Sequence, residues 1–453
     1  MRIIQISCNF LPYKIGGTEI YVYNLSKELL SMGHKIYVVY IDSFLQKNGP
    51  SVLVKEYTFD RIPVFLIKKN TYRQKTQDLY IKDSLDICNI FKEYLLKIKP
   101  DIVHFHYFST TDVLSMIKAT KELSIPIVFT YHTPQMSCGN SYMLYLKKVI
   151  CDGYLDYKRC LICILVSYGL PYLVAYLWAN IPIFFSKGLS RIISFFNLKG
   201  RLFTWLQLPY LNRERIKRIK EAFNLIDYFV VLCNWSLEVL LKNGIPKEKI
   251  ALSRHGVEKL RLTTRRQKNG TLKLGYIGRI YRIKGIDILI KAFKEIPKEF
   301  KIKLYIYGWP QDDSEERYLK RLKDLSSDDK RIEWGGRLDY KERFNILSQF
   351  DLLVIPSRLL ETGPLVLLEA WSVGTPVIAS NIGGMSELIE EENEGILYEP
   401  ENFIQLKDII IRIYKHPEIL ERLRRTIPEV RSTKDVFNDM LNLYNKALCQ
   451  KKK

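Results

Sequence analysis

The 453-residue sequence lacks several patterns that define common classes of protein. Its start, Met1 to Ser7, resembles a short strand and has no apolar run of the length that a secretory signal peptide needs. We therefore expect a cytoplasmic protein whose eight cysteines are mostly reduced. A full G-x-G-x-x-G pattern is missing, so dinucleotide binding is not indicated. A basic motif with interleaved aromatic residues and a recognition helix are missing too, which argues against nucleic-acid binding.

The first part of the chain is also short of negative charge. Residues 1–270 hold 39 Lys and Arg against 20 Asp and Glu, a net charge of +19. Residues 271–453 hold 31 against 29, a net charge of +2, and the two parts sum to +21. The positive charge of residues 1–270 therefore predicts an anionic binding partner, whether lipid headgroups, nucleic acid or an acidic substrate.

Charged residues are absent from Leu161 to Ser186, a length that would span a bilayer. Glycine, proline and asparagine interrupt this stretch, and its tyrosines and tryptophan are typical of an interface. We expect a helical hairpin that lies on a membrane or closes over a lipid-like acceptor. A bilayer span and an internal apolar insertion are the alternatives. The following residues, Arg213 to Lys220, predict a strongly basic helix face for anionic headgroups or for solvent.

Elsewhere short apolar runs alternate with helical patterns, which predicts an α/β fold with parallel sheets. The predicted strands are 3–6, 35–40, 101–106, 125–132, 227–233, 250–255, one beginning at 272, 303–307, 331–334, 351–355 and 375–380. Helices are predicted at about 18–32, 79–98, 111–123 and 235–242 in the first part. The polar run Arg261 to Gly270 predicts an interdomain linker, and the tail Lys451 to Lys453 is expected to be disordered.

These elements predict three segments. An N-terminal domain covers residues 1–260, with a hydrophobic and cysteine-containing insertion at about 134–211. A second domain covers residues 271–430, and residues 431–453 form a C-terminal helix with a basic tail.

Four cysteines of the insertion lie close together in the sequence: Cys138, Cys151, Cys160 and Cys163. The last two have the C-x-x-C spacing of metal ligands, but the first two do not. Four thiolates could close a structural zinc site. A set of buried or opportunistically bonded thiols is the alternative.

Glycines and histidines at predicted strand ends mark the first domain. Gly16 and Gly17, between the first strand and its helix, would let backbone approach a phosphate, although a plain tight turn is the alternative. His104, His106 and His132 all lie at carboxyl ends of strands, where parallel sheets bind ligands. We favour His132 as the functional one.

In the second domain the stretch from Ser357 to Ala370 joins a buried strand to a helix. We expect Pro364 to be the first helical residue, because its missing N–H would be unpaired there. Amides of Gly363, Leu365 and Val366 then point above the strand end, an arrangement that favours phosphate. Two acids, Glu361 and Glu369, face the same pocket, unless they are a capping acid and a buried paired Glu.

A second loop, after the strand that begins at Leu272, brings Arg279 and Lys284 to a strand–helix junction. These residues suit a diphosphate, with Arg bidentate and Lys as a point charge, or they are surface cations at a turn.

With these motifs the sequence resembles the retaining, nucleotide-sugar-dependent glycosyltransferases of family 4, which have the GT-B fold of two Rossmann-like doubly wound domains facing a cleft. The resemblance is strongest from Leu272 to about Glu399 and poor for 136–212. Its motifs are Gly278-Arg279 with Lys284-Gly285, Glu361 to Glu369, Asn381 to Glu387, and Gly16-Gly17.

The resemblance implies a role for each candidate residue. Arg279 and Lys284 would bind the donor diphosphate, Glu361 the hydroxyls of the donor sugar, and Glu369 the ribose. The phosphates would be held by the backbone from Gly363 through Pro364 and Leu365 to Val366 and by the Gly16-Gly17 turn. His132 would lie on the acceptor side. No metal is implied for catalysis, so zinc would be structural only. Many members have glycine and then an aromatic residue after the first acid, whereas this sequence has Thr362-Gly363.

The resemblance predicts sugar transfer from a nucleoside-diphosphate sugar to a hydroxyl of a lipid-linked or glycan acceptor. The enzyme would be peripheral at the anionic inner face of the cell membrane. A nucleotide-sugar 2-epimerase of the same fold is the alternative, and a nucleic-acid-binding protein or an inactive scaffold is less favoured.

Overall fold

The computed structural model describes residues 1–13, 16–72, 74–146, 148–258, 270–339 and 342–451. It divides into two compact units, Met1–Ser253 with Phe437–Lys453, and Arg254–Val436. Most of the predicted linker, 261–269, and the last two residues of the predicted tail lie outside the described residues. From Phe437 onward the C-terminal helix is grouped with the first unit.

The first unit is an α/β structure with helices between most strands. Its elements are β1 Arg2–Ser7, α1 Gly17–Ser31, β2 Lys35–Phe44, β3 Val52–Phe59, β4 Ile62–Asn70, α2 Leu85–Ile98, β5 Ile102–Phe105, α3 Asp112–Glu122, β6 Ile127–Tyr131, β7 Leu144–Tyr145, β8 Val149–Ile150, α4 Tyr157–Ser167, α5 Tyr172–Ala179, α6 Ile183–Phe195, α7 Arg201–Leu225, β9 Tyr228–Val231, α8 Asn234–Lys242 and β10 Ile250–Leu252.

The second unit repeats the alternation on a smaller scale. Its elements are β11 Leu272–Ile277, α9 Ile286–Lys294, β12 Ile302–Tyr307, α10 Asp313–Ser326, β13 Ile332–Gly336, α11 Glu342–Gln349, β14 Leu352–Ile355, α12 Leu365–Ser372, β15 Val377–Ser380, α13 Gly384–Leu388, β16 Ile396–Tyr398, α14 Phe403–Lys415 and α15 Pro417–Thr426; the final helix, α16, is Thr433–Lys451.

Each unit contains one large twisted sheet. The first has the strand order β10-β9-β6-β5-β1-β2-β4-β3, and its pairs are parallel except for β3 with β4. The second has the order β13-β12-β11-β14-β15-β16, with parallel pairs throughout. The chain leaves β1 and β11 in one direction and returns on the other side as β5 and β14. These reversals are switch points, where open parallel sheets bind ligands beyond the carboxyl ends of the strands.

The strands of the second sheet are buried because helices pack against the sheet. The second sheet carries a buried core of aliphatic and aromatic side chains from β11, β12 and β14, packed against α9 and α14. A strand covered by helices on both faces reads as a continuous apolar run. The carboxyl end is where such a strand meets its loop, so polar residues placed directly after it are held at one edge of the sheet.

The insertion is mostly helical. The predicted hairpin, Leu161 to Ser186, falls on α4, α5 and the start of α6, and α4 packs against α5. Leu161, Leu165, Ala175 and Leu208 belong to a small core of their own. The location of the hairpin on a membrane stays a prediction. In the described part of the chain, helices long and apolar enough to cross a membrane are not found.

The predicted basic face of α7 is only partly correct. Arg213, Lys217 and Lys220 are exposed, but Arg215 and Arg218 are buried. Arg218 donates from Nε to the Thr110 carbonyl oxygen at 2.6 Å and also pairs with Asp83. Arg215 donates from Nη2 to the Gln135 carbonyl oxygen at 3.0 Å. These two arginines bond α7 to the loops that follow β5 and β6 and to the residues before α2, instead of facing headgroups or solvent.

Candidate functional site

Two loops meet at the switch point of the second sheet, one after β11 and one after β14. The backbone N–H of Arg358 donates to the Ile283 carbonyl oxygen at 2.7 Å. The Arg358 guanidinium grips both carboxylate oxygens of Asp287, in the first turn of α9, at 2.7 and 2.9 Å. Burial opposes ionisation of Asp287, but the bonds from Arg358 and Tyr318 hold the pKa of this carboxyl below its usual value. The two loops therefore form one connected structure.

Gly285 allows the loops to approach closely. Its φ is +69°, and a Cβ built on it would lie 1.7 Å from the carbonyl oxygen of Pro356 at the end of β14. A glycine is needed here both for the left-handed backbone and for the missing side chain. The preceding residue, Lys284, is thereby placed beside the loop that follows β14.

Lys284 and Glu361, two of the predicted site residues, are in direct contact. Lys284 Nζ lies 2.5 Å from Glu361 Oε1, and the Ser357 hydroxyl donates to the same oxygen at 2.9 Å. The side chains of Lys284 and Glu361 retain 29% and 13% of their exposure, so both are held by the protein near the surface of the site. The structure thus brings a cation and a carboxylate together at the carboxyl ends of β11 and β14.

Arg279, the other predicted phosphate ligand, is held by an acid that the sequence did not reveal. Its Nε donates to Glu315 Oε2 at 3.0 Å, and its Nη2 lies 2.5 Å from Glu315 Oε1. Glu315 is almost fully buried, while the Arg279 side chain is 40% exposed. The guanidinium carbon also lies 5.2 Å from the centre of the Tyr281 ring. Bidentate pairing of this kind fixes the plane of the guanidinium.

Glu369, predicted to bind ribose, is a buried and paired acid. Arg343 Nη1 donates to its two carboxylate oxygens at 2.8 and 2.9 Å, and the side chain is 1% exposed. This matches the alternative that the sequence left open. The ribose role stays a prediction.

The start of α12 differs from the prediction by one residue. Pro364 has ψ of 124° and is the N-cap, and the helix begins at Leu365. The amides of Leu365 and Val366 still belong to the first turn, where N–H groups lack acceptors within a helix. Gly363 has φ of +125°, and a Cβ there would lie 3.6 Å from His255 Cδ2.

A second glycine pair, Gly383 and Gly384, contacts the loop after β14. Gly384 N–H donates to the Glu361 carbonyl oxygen at 2.7 Å. A Cβ on Gly384 would lie 2.6 Å from the Gly363 nitrogen, and one on Gly383 would lie 2.9 Å from the Leu360 Cα. Gly383, the N-cap of α13, and Gly384, its first residue, therefore let the backbone around Glu361 contact the turn after β15 directly.

In the first unit the predicted histidine belongs to a buried hydrogen-bonded chain. His106 Nδ1 lies 3.0 Å from His132 Nε2, and His106 Nε2 lies 2.6 Å from Gln5 Oε1. His104 bonds the Tyr444 hydroxyl through Nδ1 at 2.7 Å and Thr130 Oγ1 through Nε2 at 2.7 Å. Burial keeps the pKa of both His104 and His106 well below the usual value, so these two rings are neutral.

The chain of bonds defines which nitrogen of His132 carries a proton. An amide oxygen only accepts hydrogen bonds, so Gln5 Oε1 requires a proton on His106 Nε2. In the neutral His106 ring Nδ1 is then an acceptor, and His132 Nε2 must donate to it. In a neutral His132 the lone pair is consequently on Nδ1. The His132 ring also packs edge-on against Tyr21, with centres 4.8 Å apart, and its orientation is fixed from two sides.

The predicted glycine turn of the first unit lies at the N-terminus of α1. Gly16 is the N-cap of α1, and Gly17 is its first residue. A Cβ on Gly16 would lie 2.6 Å from Glu19 Oε2. This close approach of a carboxylate explains a small residue at the position, whether or not a phosphate binds there.

The four cysteines proposed as zinc ligands, Cys138, Cys151, Cys160 and Cys163, are all free thiols. Among the described residues, which include these four, no group of three or more His, Cys, Asp or Glu side chains is arranged to hold a metal ion. Burial raises the pKa of Cys160 to about 12 and raises that of Cys151 and Cys163, which favours the thiol over the metal-binding thiolate. Cys163 is buried and the other three are half-buried, and the zinc site stays a prediction.

Sequence reasoning missed the partners that orient the candidate residues. Glu315 is 36 residues from Arg279, Arg343 is 26 residues from Glu369, and Tyr444 is 340 residues from His104. Such partners leave no local pattern, because they lie on helices that pack against the site from elsewhere in the chain. Ser357 and Arg358 open the predicted stretch, but no role was predicted for them; their position directly after a buried strand was the available signal.

Two doubly wound units, each with a switch point at the carboxyl ends of its parallel strands, define a two-domain α/β protein. A family model described as "Glycosyl transferases group 1" matches residues 263–430, and one described as "Glycosyltransferase Family 4" matches residues 15–167. The chain belongs to the glycosyltransferases of the GT-B fold.

Individual relatives agree with this class. An uncharacterized glycosyltransferase, MJ1607, of Methanocaldococcus jannaschii is 23% identical over 99% of both chains. The putative colanic acid biosynthesis glycosyltransferase WcaL of Escherichia coli is 30% identical, over 36% of this chain and 41% of that one. The match to WcaL therefore spans less than half of either protein.

Solved structures confirm the predicted fold. Sucrose-phosphate synthase from Thermosynechococcus elongatus is 20% identical, with a TM-score of 0.65 over 99% of both chains. Anabaena HepE, in complex with UDP-glucose, is 14% identical, with a TM-score of 0.61 over 98% of this chain and 100% of that one. At these identities the comparison shows the fold alone.

Proposed function

We propose that this glycosyltransferase moves a sugar from a nucleoside-diphosphate sugar to a hydroxyl of a glycan or lipid-linked acceptor, with retention of the anomeric configuration. The contact between Lys284 and Glu361 carries the proposal, because a cation that suits a phosphate and a carboxylate that suits sugar hydroxyls lie side by side at a switch point. The UDP-glucose in the HepE complex and the biosynthetic name of WcaL support the donor class and the glycan setting.

In the proposed reaction negative charge develops on the departing diphosphate while the sugar ring becomes oxocarbenium-like. Lys284 stabilises that charge as a point cation, and the first-turn amides of α12 add oriented dipoles. The Nε and Nη2 edge of Arg279 is used by Glu315, so Nη1 is the donor that faces the phosphate. Glu361, steadied by Lys284 and Ser357, accepts hydrogen bonds from the donor-sugar hydroxyls.

The first unit supplies the acceptor side in this proposal. A neutral His132 with its lone pair on Nδ1 accepts a hydrogen bond from a substrate hydroxyl. Gly16 and Gly17 let the backbone approach the donor phosphate. The reaction itself requires no metal. We place it at the inner face of a cell membrane, where lipid-linked acceptors are found and where the cationic first unit meets anionic headgroups.

The donor site is tested by nucleotide binding and by turnover of matched variants. Nucleoside diphosphates and common nucleotide sugars are screened by thermal shift, since a ligand that binds the native state raises the Tm. We expect Lys284→Ala and Glu361→Ala to lower kcat/KM by about 10²- to 10³-fold, because each removes a group that acts on developing charge or on the sugar.

Lys303→Ala is the matched control, because Lys303 pairs with Glu333 near the opposite end of β12 and is exposed. Its activity should equal that of the wild type. Wild-type turnover in both site variants, or no Tm shift with any nucleotide or nucleotide sugar, would refute the assignment. Anomeric coupling constants of the product report retention, and product analysis without acceptor distinguishes transfer from 2-epimerization.

A further inference from the structure

Helices α5 and α6 expose many large apolar side chains to solvent. On α5 these are Tyr172, Leu173, Val174, Tyr176 and Leu177, each 48 to 68% exposed. On α6 and the turn after it they are Phe184, Phe185, Ile192, Phe195, Phe196 and Leu198, each 41 to 81% exposed. We call these residues the outer apolar face. Exposed apolar patches of this size mark interaction sites.

Helix α6 packs along α7, whereas α5 packs mainly against α4. Hydrogen bonds attach both α5 and α6 to one stretch of α7. Trp178 Nε1 donates to the Trp205 carbonyl oxygen at 2.9 Å, and Ser186 Oγ donates to the Leu206 carbonyl oxygen at 3.0 Å. Ser190 Oγ and Gln207 Oε1 are 3.2 Å apart. Because α5 and α6 are both anchored at residues 205–207, the outer apolar face points away from the core of the insertion.

The positive charge around the outer apolar face indicates which kind of partner binds there. From Tyr157 to Arg213 the sequence contains seven Lys and Arg and no Asp or Glu. Two of these cations, Lys187 and Arg191, are exposed on α6, within one turn of Phe184 and Phe195. A second copy of the chain docked on the same face would bring cations against cations without acids to pair them. Large apolar residues with cations alone are the composition of helices that bind anionic membrane interfaces.

A polar cavity adjoins the outer apolar face and has the same sign of charge. Its volume is about 290 Å³, and its lining includes Lys75, Lys199 and Thr204. Ser194, Asn197 and Leu198, which flank Phe195 and Phe196, also line it. Lys75 Nζ donates to the Ser194 carbonyl oxygen at 2.6 Å and is thereby held at the cavity wall. The cavity offers ammonium groups to a phosphate headgroup beside the side chains that would enter the acyl region.

We propose that the outer apolar face, with Lys187 and Arg191, docks the protein on a bilayer that contains anionic lipids. Aromatic and aliphatic side chains of α5 and α6 enter the interface, and the cations bind the headgroups. This inference deepens the membrane location in the proposed function by naming the surface and its lipid chemistry. It needs neither donor nor acceptor, so vesicle binding and sugar transfer can fail separately.

The test is co-sedimentation of the full chain with vesicles of equimolar phosphatidylglycerol and phosphatidylcholine, and with phosphatidylcholine alone. We expect the wild type to bind the anionic vesicles, with binding that falls as salt rises. The variants Phe195→Ser with Phe196→Ser, and Lys187→Glu with Arg191→Glu, should each weaken that binding about tenfold or more.

Matched controls distinguish docking through this face from non-specific apolar binding and from misfolding. Leu45→Ser with Leu85→Ser removes two side chains that are 75% and 69% exposed elsewhere in the first unit, and should bind as the wild type does. Lys284→Ala should also bind vesicles normally. Both docking variants should keep the wild-type Tm and the wild-type Tm shift with nucleotide.

Three results would overturn the proposal. The first is a wild type that sediments no more with anionic vesicles than without vesicles. The second is folded docking variants that bind as the wild type does. The third is a wild type that is dimeric in solution and becomes monomeric in Phe195→Ser with Phe196→Ser, because the face is then an interface between copies.

Discussion

At the scale of single residues, the histidines show how a strand-end pattern becomes a defined chemical state. Their positions at carboxyl ends of strands are visible in the sequence, and the structure connects His106 directly to His132. The tautomer of His132 depends on Gln5, which looks like an ordinary strand residue in the sequence. A pattern can locate such a ring, but only the three-dimensional chain of donors and acceptors assigns its proton.

This assignment predicts that His106 is a positioning residue. His106→Leu removes the acceptor for His132 Nε2–H, whereas His106→Asn keeps an amide oxygen near the place of Nδ1. We expect His106→Leu to lower kcat about tenfold with little change in the KM for the donor, and His106→Asn to recover much of the loss. Steady-state kinetics of the two variants measure this. Equal losses in both would mean that the role is packing alone.

The candidate residues of the second unit were found by their types and spacing, and Lys284 and Glu361 were indeed brought together. Their neighbours were not foreseen. Glu315 and Arg343 neutralise Arg279 and Glu369, and each reaches its partner from a helix that is separate in sequence. Burying a charge is costly unless it is paired, so the buried carboxylates of Glu315 and Glu369 each require a cation, and one sequence does not locate such pairs.

At the scale of elements, buried parallel strands were the easiest part to predict, since each is a short apolar run with turn residues on both sides. The antiparallel pair β3 and β4 was missed: β3 is mostly exposed and has no continuous apolar run. The insertion was harder to predict, because its apolar residues serve two purposes, a small core and an exposed face, and a single stretch of sequence does not separate them.

The close approach of the loops after β11 and β14 at Gly285 predicts that this glycine is needed for stability and for nucleotide binding. Gly285→Ala adds a Cβ that would meet the Pro356 carbonyl oxygen, so the loops after β11 and β14 must separate. We expect it to lower the free energy of unfolding by about 3 kcal/mol or more and to weaken nucleotide binding by displacing Lys284. Urea denaturation and the nucleotide-induced Tm shift measure the two effects.

Gly374→Ala is its control, because Gly374 has nearly the same φ, +72°, but open space around the position of a Cβ. That variant should lose only about 1 to 2 kcal/mol, the cost of the left-handed backbone. If both alanine variants lose the same stability, the close approach to Pro356 contributes nothing.

At the scale of the whole molecule, the buried histidines make the free energy of unfolding depend on pH. Burial lowers the pKa of His255 to about 4 and keeps that of His104 and His106 well below the usual value near 6.5. Below pH 6.5 the unfolded chain therefore binds protons that the folded chain does not. The free energy of unfolding must fall as the pH falls from 6.5 toward 4.

We expect each of these histidines to contribute a slope of up to about 1.4 kcal/mol per pH unit in that range, and none above it. His255→Asn should make the fall of the Tm between pH 6.5 and 4.5 shallower. His416→Asn, at an exposed histidine beside Glu418, should not change it. Identical pH profiles for the wild type and His255→Asn would contradict this account.

Helix α16 returns the end of the chain to the first unit, where the Tyr444 hydroxyl bonds both His104 and Gln5. This has a consequence for biosynthesis. A nascent chain that has grown to Ser253 already contains every strand of the first sheet, yet it lacks the phenol that completes the buried histidine chain. Synthesis proceeds from the N-terminus and domains generally fold as they emerge. The first unit therefore reaches its final hydrogen bonding only after the ribosome has made the second.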